Sequence, residues 1–369
     1  MSGKSPRVNV LIYVANGRLG RMVAAALRAR GARLRLSGRS RERVKTAAKE
    51  GDEVSDDARG VDVVVNCAPT DRAATDALIA TAVAAGAHCA DAAGEQALVR
   101  HVLDVHARAG VAVIPALGFD YAVGDCLAAV AARGLEPCAE VTVAYAFGGR
   151  QAGANSVAFA SAGPRGHEVV YRNGQWHPAG LALDFGTFDF PQPFGRQRVG
   201  RYGAGEVVTV PRHVRTRRVR AYIAASALVP HPALVPLFPL VRPLAALAVR
   251  TPLRHVVGMV GGLLARVGST REPDSPTVGS TAGPDSAAGA ATGPSFVVVA
   301  EARALDGRVA RATATGPNCH AATAEILALG AQFLANGEIK GALSAAAAFP
   351  PDKLLDALTT VLTWSLESP

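Results

Sequence analysis

The chain has 369 residues, 49% of them hydrophobic, enough for two globular domains with buried cores. Its net charge is +9, from 39 Lys and Arg against 30 Asp and Glu, with arginine far outnumbering lysine. Compositional bias explains that balance most simply; its functional counterpart is a basic surface suited to anionic cofactors or acidic substrates. No recognised motif interleaves the basic residues with aromatics, which argues against nucleic-acid binding. The five cysteines are widely spaced with no CxxC, the pattern of free thiols in a reducing cytoplasm. The N-terminal MSGKSPR runs straight into an apolar stretch, so no signal peptide is expected and the protein is expected to be cytoplasmic.

The first 120 residues alternate strand and helix. Val8–Val14 is an apolar strand that breaks at Ala15-Asn16-Gly17 and enters a helix from Arg18 to Arg30, stopped by Gly31. A turn of this kind aims helix N-terminal N–H groups at a phosphate, where the helix dipole favours negative charge. A nucleotide-binding loop normally also carries a glycine at its first position, here Val14. A β-branched residue tolerates positive φ badly and adds bulk near the phosphates. Ala32–Ser37 is the second strand. It is followed by Gly38-Arg39-Ser40-Arg41 and a helix over Ser40–Lys49. An acidic residue at this place would hold the ribose 2′-OH of NAD; Arg39 and Ser40 suit the 2′-phosphate of NADP better. A solvated surface arginine is the plain alternative.

Val61–Val65 is a continuous apolar strand ending in Asn66-Cys67-Ala68-Pro69-Thr70, placed to meet the nicotinamide side of a cofactor or to serve as an ordinary proline turn. A helix (Arg72–Ala85), a short strand (Ala87–Ala90), the turn Asp91–Glu95, a helix (Gln96–Ala109) and a strand (Val111–Ile114) follow. Continuous apolar strands between helices predict a doubly wound parallel sheet covered on both faces, with ligands beyond the carboxyl ends of its strands. His88, Asp91 and Glu95 beside one turn, and Asp120, Tyr121 and Asp125 after the next, are acid–base candidates if burial raises a carboxylate pKa; caps and turn hydrogen bonds are the plain alternative.

The pattern then changes. Gly118–Tyr121 reads as a loop and Val123–Arg133 as a small-residue helix. Strands are expected at Glu140–Phe147, Glu168–Arg172, Val207–Val210 and Arg218–Ile223. A hairpin turns at Asp306-Gly307, a helix covers Ala321–Ala335, and a last helix covers Asp352–Trp364. The expected architecture is α/β followed by α+β with a mixed or antiparallel sheet. Ala221–Val241 lacks charge and is long enough to span a bilayer, but four prolines interrupt it, so a buried helix or a lid over an apolar substrate fits better. Gly268–Ser295 is low-complexity and reads as a surface loop or linker. Metal binding and serine-hydrolase chemistry lack their motifs.

The ordered stretches VANGRLGR, GRS, VVNCAPT, GAHCADAAGE, PALGFDYAVGD, GEVVTVPRH and GALSAAAAF together resemble the saccharopine dehydrogenase-like oxidoreductases, most closely the subgroup with trans-acting enoyl reductases. The resemblance implies a dinucleotide-binding Rossmann domain (1–125), a substrate and dimerisation domain (126–336), and C-terminal helices (337–369) returning to the first domain. It implies NAD(P)H chemistry in a homodimer, with Gly17, Gly20, Arg39, Asn66, Ala68, Pro69 and Glu95 toward the cofactor; Asn16, Arg18, Leu19 and Ser40 on the same turns are expected to join them, and Asp120, Tyr121 and His88 are the candidate proton donors. Departures are Val14 for the first glycine, Tyr121-Ala122 for the usual Ser/Pro, and Ser344-Ala345 for Thr-Pro. The expected function is an NADP(H)-dependent reductase of a C=C or C=N bond in a bulky, partly apolar small molecule. The alternatives are a non-redox cyclase, isomerase or dehydratase that needs no dinucleotide, and a catalytically silent binding protein.

Overall fold

The structure, a computed structural model, describes residues 7–68, 71–148, 168–179, 184–227 and 293–369. Pro69, most of the uncharged stretch 221–241 and nearly all of the low-complexity stretch lie outside the described residues.

Seven parallel strands form the first sheet: β1 (Asn9–Tyr13), β2 (Arg33–Ser37), β3 (Glu53–Val54), β4 (Val63–Asn66), β5 (His88–Asp91), β6 (Ala112–Ile114) and a late addition, β15 (Gly341–Ala342). Their order is β15-β6-β5-β4-β1-β2-β3, so the winding reverses between β1 and β4. Helices α1 (Arg18–Ala29), α2 (Arg41–Lys45), α3 (Arg72–Ala85) and α4 (Gln96–Val105) are the crossovers. Val63, Val64 and Val65 have no exposed surface, because layers cover both faces of the sheet. This is the doubly wound Rossmann-type arrangement expected from the alternating sequence.

The second sheet has nine strands and is mixed. Its main path runs through β10 (Phe185–Asp189), β11 (Arg196–Arg201), β12 (Arg218–Ala224), β7 (Cys138–Phe147), β13 (Phe296–Ala304), β14 (Val309–Gly316) and β16 (Thr363–Glu367). A hairpin of β8 (Val169–Arg172) and β9 (Gln175–Pro178) attaches to β12. Strands β7 and β12 pair in parallel, and the other pairs are antiparallel. Helix α5 (Gly124–Ala132) packs on β7, β13 and β14 and is buried except at Ala129, as its small apolar composition requires.

The end of the chain joins both sheets. Helix α7 (Cys319–Ala335) lies along α1 and against β4 and β5, although the sequence groups it with the second domain. Arg30, the C-cap of α1, holds Glu325 of α7 at 2.5 Å. Strand β15 then extends the first sheet, and α8 (Ala345–Ala348) and α9 (Pro351–Asp356) pack on α5. The expected helix Asp352–Trp364 is corrected here: α9 stops at Asp356, and Thr363–Glu367 forms edge strand β16 on β14. Thr363, Trp364 and the alternation that follows fit a half-exposed edge strand better than a helix face. The expected strand Val207–Val210 is instead helix α6 (Glu206–Thr209) with a further tight turn, because a short apolar run does not distinguish the two states. Residues Phe119–Val123 form a π-helical turn leading into α5.

Candidate active site

The carboxyl ends of β1, β4 and β5 face the N termini of α1 and α7, and loops from both domains meet there. Val14 follows β1 directly with φ of +60°, in the left-handed region that suits glycine. The turn is pinned by Ala15 N–H donating to Ser37 O (3.0 Å) and Gly17 N–H to Val14 O (3.1 Å). A Cβ on Gly20 would lie 2.3 Å from Val14 O and 2.8 Å from Ala15 Cα, so α1 can approach β1 this closely only with glycine there. A Cβ on Gly17 would lie 3.3 Å from Val14 Cγ1, which places the valine side chain at the mouth of the turn.

Gly17 is the N-cap of α1; no side chain caps this end, and no acidic residue stands in the first turn. Arg18 is exposed and Leu19 half-buried. The Asn16 side chain lies against Gly38, where a Cβ would approach its Oδ1 to 3.1 Å. Arg39 is exposed and has no ion pair among the described residues. Ser40 caps α2, accepting from Arg43 N–H at 3.4 Å, and Ser37 at the end of β2 donates to Asp56.

Asn66 and Asp91 brace the next two turns. Asn66 Nδ2 donates to Asp91 Oδ2 (3.0 Å), Asn66 Oδ1 accepts from Ala68 N–H (3.0 Å), and Asp91 Oδ1 accepts from Ala93 N–H (2.7 Å). Both side chains are buried, and burial raises Asp91 to about 6 despite these hydrogen bonds. Glu95 sits half-buried at the N-cap of α4. The adjacent Gln96 clamps the domains together, donating to Ala204 O (3.0 Å) and accepting from Val169 N–H (2.7 Å).

His88 needs correction as a candidate proton donor beside this cleft. It begins β5, level with Val63 at the start of β4, while Asp91 at the other end is level with Asn66. Four residues of strand set it about 10 Å from the cleft. Its Nδ1 accepts from Ala112 N–H at 2.9 Å, and burial lowers its pKa, so it is a neutral ring completing the sheet's far edge.

Asp120 and Tyr121 are at the cleft. Asp120 is half-buried, burial raises its pKa to about 6, and its carboxylate has no hydrogen bond among the described residues. The Tyr121 ring is buried between two glycines. A Cβ on Gly94 would lie 1.6 Å from its Cε2, and one on Gly205 3.1 Å from its Cδ1. Its hydroxyl lies 3.3 Å from that of Tyr202, and burial raises its pKa well above the usual phenol range. Phe119 N–H donates to Thr323 Oγ1 of α7 at 3.1 Å, which fixes the loop.

Several residues here were not singled out by sequence reasoning. Glu206 of α6 has no exposed surface; its Oε1 meets the Tyr145 hydroxyl, and its Oε2 has no partner among the described residues. The Tyr145 hydroxyl also donates to Asp120 O at 2.5 Å. A Cβ on Gly124 would lie 2.2 Å from Glu206 Oε1, so that glycine makes room for the pair. Burial raises the Glu206 pKa well above the usual carboxylate range. At the N terminus of α7, Cys319 feels Asp120 and Arg18, and its thiol is pushed up to about 11, chiefly by burial. The neighbouring His320 is lowered by burial and by Arg18. The stretch GEVVTVPRH contained Glu206 without marking its role, and His320 carries no local signal beyond the Asn318 cap before it.

Deeper between the domains, Asp125 and His213 pair at 2.7 Å, and Ala346 N–H donates to the other Asp125 oxygen at 2.9 Å. Burial alone would raise Asp125 and lower His213; their mutual attraction outweighs it, so Asp125 is lowered and His213 raised. Among the described residues, no cluster of His, Cys, Asp or Glu is grouped to hold a metal ion, and no helix is long and apolar enough to cross a membrane.

No protein-family model matches the chain, and no curated protein matches it in sequence. Several solved structures align with it, one of them with a TM-score above 0.5. Apo saccharopine dehydrogenase (L-Glu forming) from Saccharomyces cerevisiae aligns over 98% of this chain and 100% of its own, with a TM-score of 0.59 and 11% identity. An amine dehydrogenase from Mycobacterium smegmatis aligns over 93% of this chain and 96% of its own, with a TM-score of 0.44 and 10% identity. Levoglucosan dehydrogenase, in complex with NADH and levoglucosan, aligns over 98% and 99%, with a TM-score of 0.41 and 10% identity. The saccharopine dehydrogenase match shows a shared two-domain fold of the Rossmann class.

Proposed function

We propose that the protein is an NADP(H)-dependent reductase that transfers a hydride to a C=C or C=N bond of a bulky, partly apolar small molecule, acting as a homodimer. The observation that carries this reading is the N terminus of α1, uncapped by any side chain, free of acid in its first turn, and set at the reversal point of the parallel sheet. Sheets of this order take dinucleotides at that point, with the pyrophosphate on the helix N terminus. Gly17, Arg18, Leu19 and Gly20 would hold the pyrophosphate, Arg39 and Ser40 the 2′-phosphate, and Asn16 the turn between them. Asn66, Ala68, Pro69 and Glu95 would border the nicotinamide side. The bound cofactor would supply the hydride. Asp120 would supply the proton, with Tyr121 as the second candidate. Burial raises the Asp120 pKa to about 6, nearer neutral pH than an ordinary carboxylate, as a proton donor needs.

One observation favours a second reading. Val14 holds the strained φ of +60° and sets a methyl group against Gly17, where phosphates would pass. A non-redox acid–base enzyme on the same scaffold would not need that space. Following reduced-nicotinamide absorbance with NADPH against α,β-unsaturated carbonyl and imine acceptors tests the reductase reading. Turnover is expected, with Asp120→Asn lowering kcat by about 10²-fold or more at little change in KM for NADPH. No turnover with either acceptor class would defeat the reading. Full activity in Asp120→Asn would remove Asp120 as the proton donor.

A further inference from the structure

The second sheet ends, away from Asp120, in a row of charges fixed by strand register. Arg172 of β8 faces Arg218 of β12. The parallel β12–β7 pairing, running from the Thr216–Cys138 bridge through Val219 and Val141, sets Arg218 beside Glu140. Glu140 in turn faces Arg303 of β13. Neighbouring strands lie about 4.8 Å apart, so three arginines and one glutamate share a face along roughly 14 Å.

Like charges directly opposite each other destabilise a sheet, and Arg172 stands directly opposite Arg218. Glu140 is already engaged by Arg220 at 3.1 Å and by Arg218 at 3.5 Å. Arg172, Arg217 and Arg303 are exposed, with no ion pair among the described residues.

Three members of the row, Arg218, Glu140 and Arg303, line a cavity of about 320 Å³ together with Ala139, Asn173 and Arg217. One wall is the tight turn between β8 and β9. Asn173 and Gly174 take φ of +52° and +77° there, and Gly174 N–H donates to Arg217 O at 3.0 Å. Five residue steps along β7 separate Glu140 from Tyr145, whose hydroxyl touches the Asp120 loop, so the recess lies about 17 Å from the cleft along that strand.

We propose that this recess is an anion site, separate from the cofactor cleft, that takes the phosphate group of a small phosphorylated molecule. Its three lining arginines exceed its one carboxylate by two charges. The planar guanidinium fork matches phosphate oxygens with paired hydrogen bonds, which a lone ammonium cannot do. The volume suits a compact ligand.

Calorimetric titration of the full chain at low ionic strength tests this, with inorganic phosphate and glycerol 3-phosphate as separate probes. Both Arg217 and Arg303 are exposed, so the Arg217→Ala/Arg303→Ala double variant is expected to fold, which circular dichroism checks. Saturable binding is expected, weakened at least tenfold in the double variant and less than twofold in Arg39→Ala, the variant of the proposed cofactor site. Tighter binding of glycerol 3-phosphate than of inorganic phosphate would assign an organic phosphate ester; equal affinity would assign free phosphate. Absence of saturable binding, unchanged affinity in the double variant, or loss in Arg39→Ala alone would overturn the proposal.

Discussion

Replacing Glu206 with glutamine keeps the shape of a side chain that has no exposed surface, and it should change how stability depends on pH. Tyr145 has one hydroxyl proton and two acceptors in reach, the Asp120 carbonyl at 2.5 Å and Glu206 Oε1. Both contacts are satisfied together only if Glu206 is the neutral acid and donates to the Tyr145 oxygen while Tyr145 donates to Asp120 O. Burial raises its pKa well above 4.5, in keeping with that assignment. In the unfolded chain the group loses its proton above pH 4.5, while the native protein retains it. The stabilisation is therefore complete below pH 4.5 and is lost as pH rises through the folded pKa, at about 1.4 kcal/mol per pH unit. Glutamine donates to Tyr145 without titrating. The stability difference between Glu206→Gln and wild type should thus move in favour of the variant by about 1.4 kcal/mol per unit from roughly pH 5 upward. Asp91 and Asp120 titrate in this range too, but they are common to both proteins and cancel in the difference. Urea unfolding of both proteins across this range measures it. A difference constant with pH would mean that native Glu206 is ionised and the proton assignment is wrong.

Gly94→Ala would set a Cβ 1.6 Å from Tyr121 Cε2 and should cost about 1–3 kcal/mol by urea unfolding, with part of the loss recovered when Tyr121→Ala is added. Full additivity of the two changes would show that the ring does not lie on that glycine. His213→Ala leaves the buried Asp125 carboxylate without its partner and should destabilise by about 3–5 kcal/mol near pH 6. Because the His213 pKa is raised, its contribution is complete below pH 6.5 and fades as pH rises through the folded pKa, so the gap to wild type should narrow in alkali. Val14→Gly relieves a left-handed valine, strain worth about 1–3 kcal/mol, and clears its methyl from Gly17. NADPH should then bind about tenfold tighter, the equivalent of 1.4 kcal/mol; an unchanged affinity would show that the valine does not border the phosphates.

The parallel sheet was the most legible part of the fold. Its inner strands β1, β4 and β6 are short and mainly apolar, and Gly31, Gly86 and Gly110 punctuate the sequence between strands, so local pattern and tertiary role agree. Less was legible in the second domain, where β9, β10 and β11 carry polar and aromatic residues without clean alternation, and where β16 takes its state from pairing with β14. Of the proposed site residues, Asn16–Gly20, Asn66 and Asp120 were legible because they sit on turns that end strands. Glu206, Tyr145 and His320 reach the cleft through packing between elements distant in sequence, which no local spacing records. His88 misled for a related reason: its neighbours Asp91 and Glu95 lie at the cleft, but a strand carries it to the opposite edge of the sheet.

The central claim, that the turn after β1 receives a phosphorylated nicotinamide cofactor, is tested most directly by calorimetric titration with NADPH and NADH, in wild type and in Arg39→Ala. The account predicts saturable binding that is tighter for NADPH than for NADH, with the preference reduced or abolished when Arg39 is replaced. Absence of binding by either cofactor at millimolar concentration would contradict it.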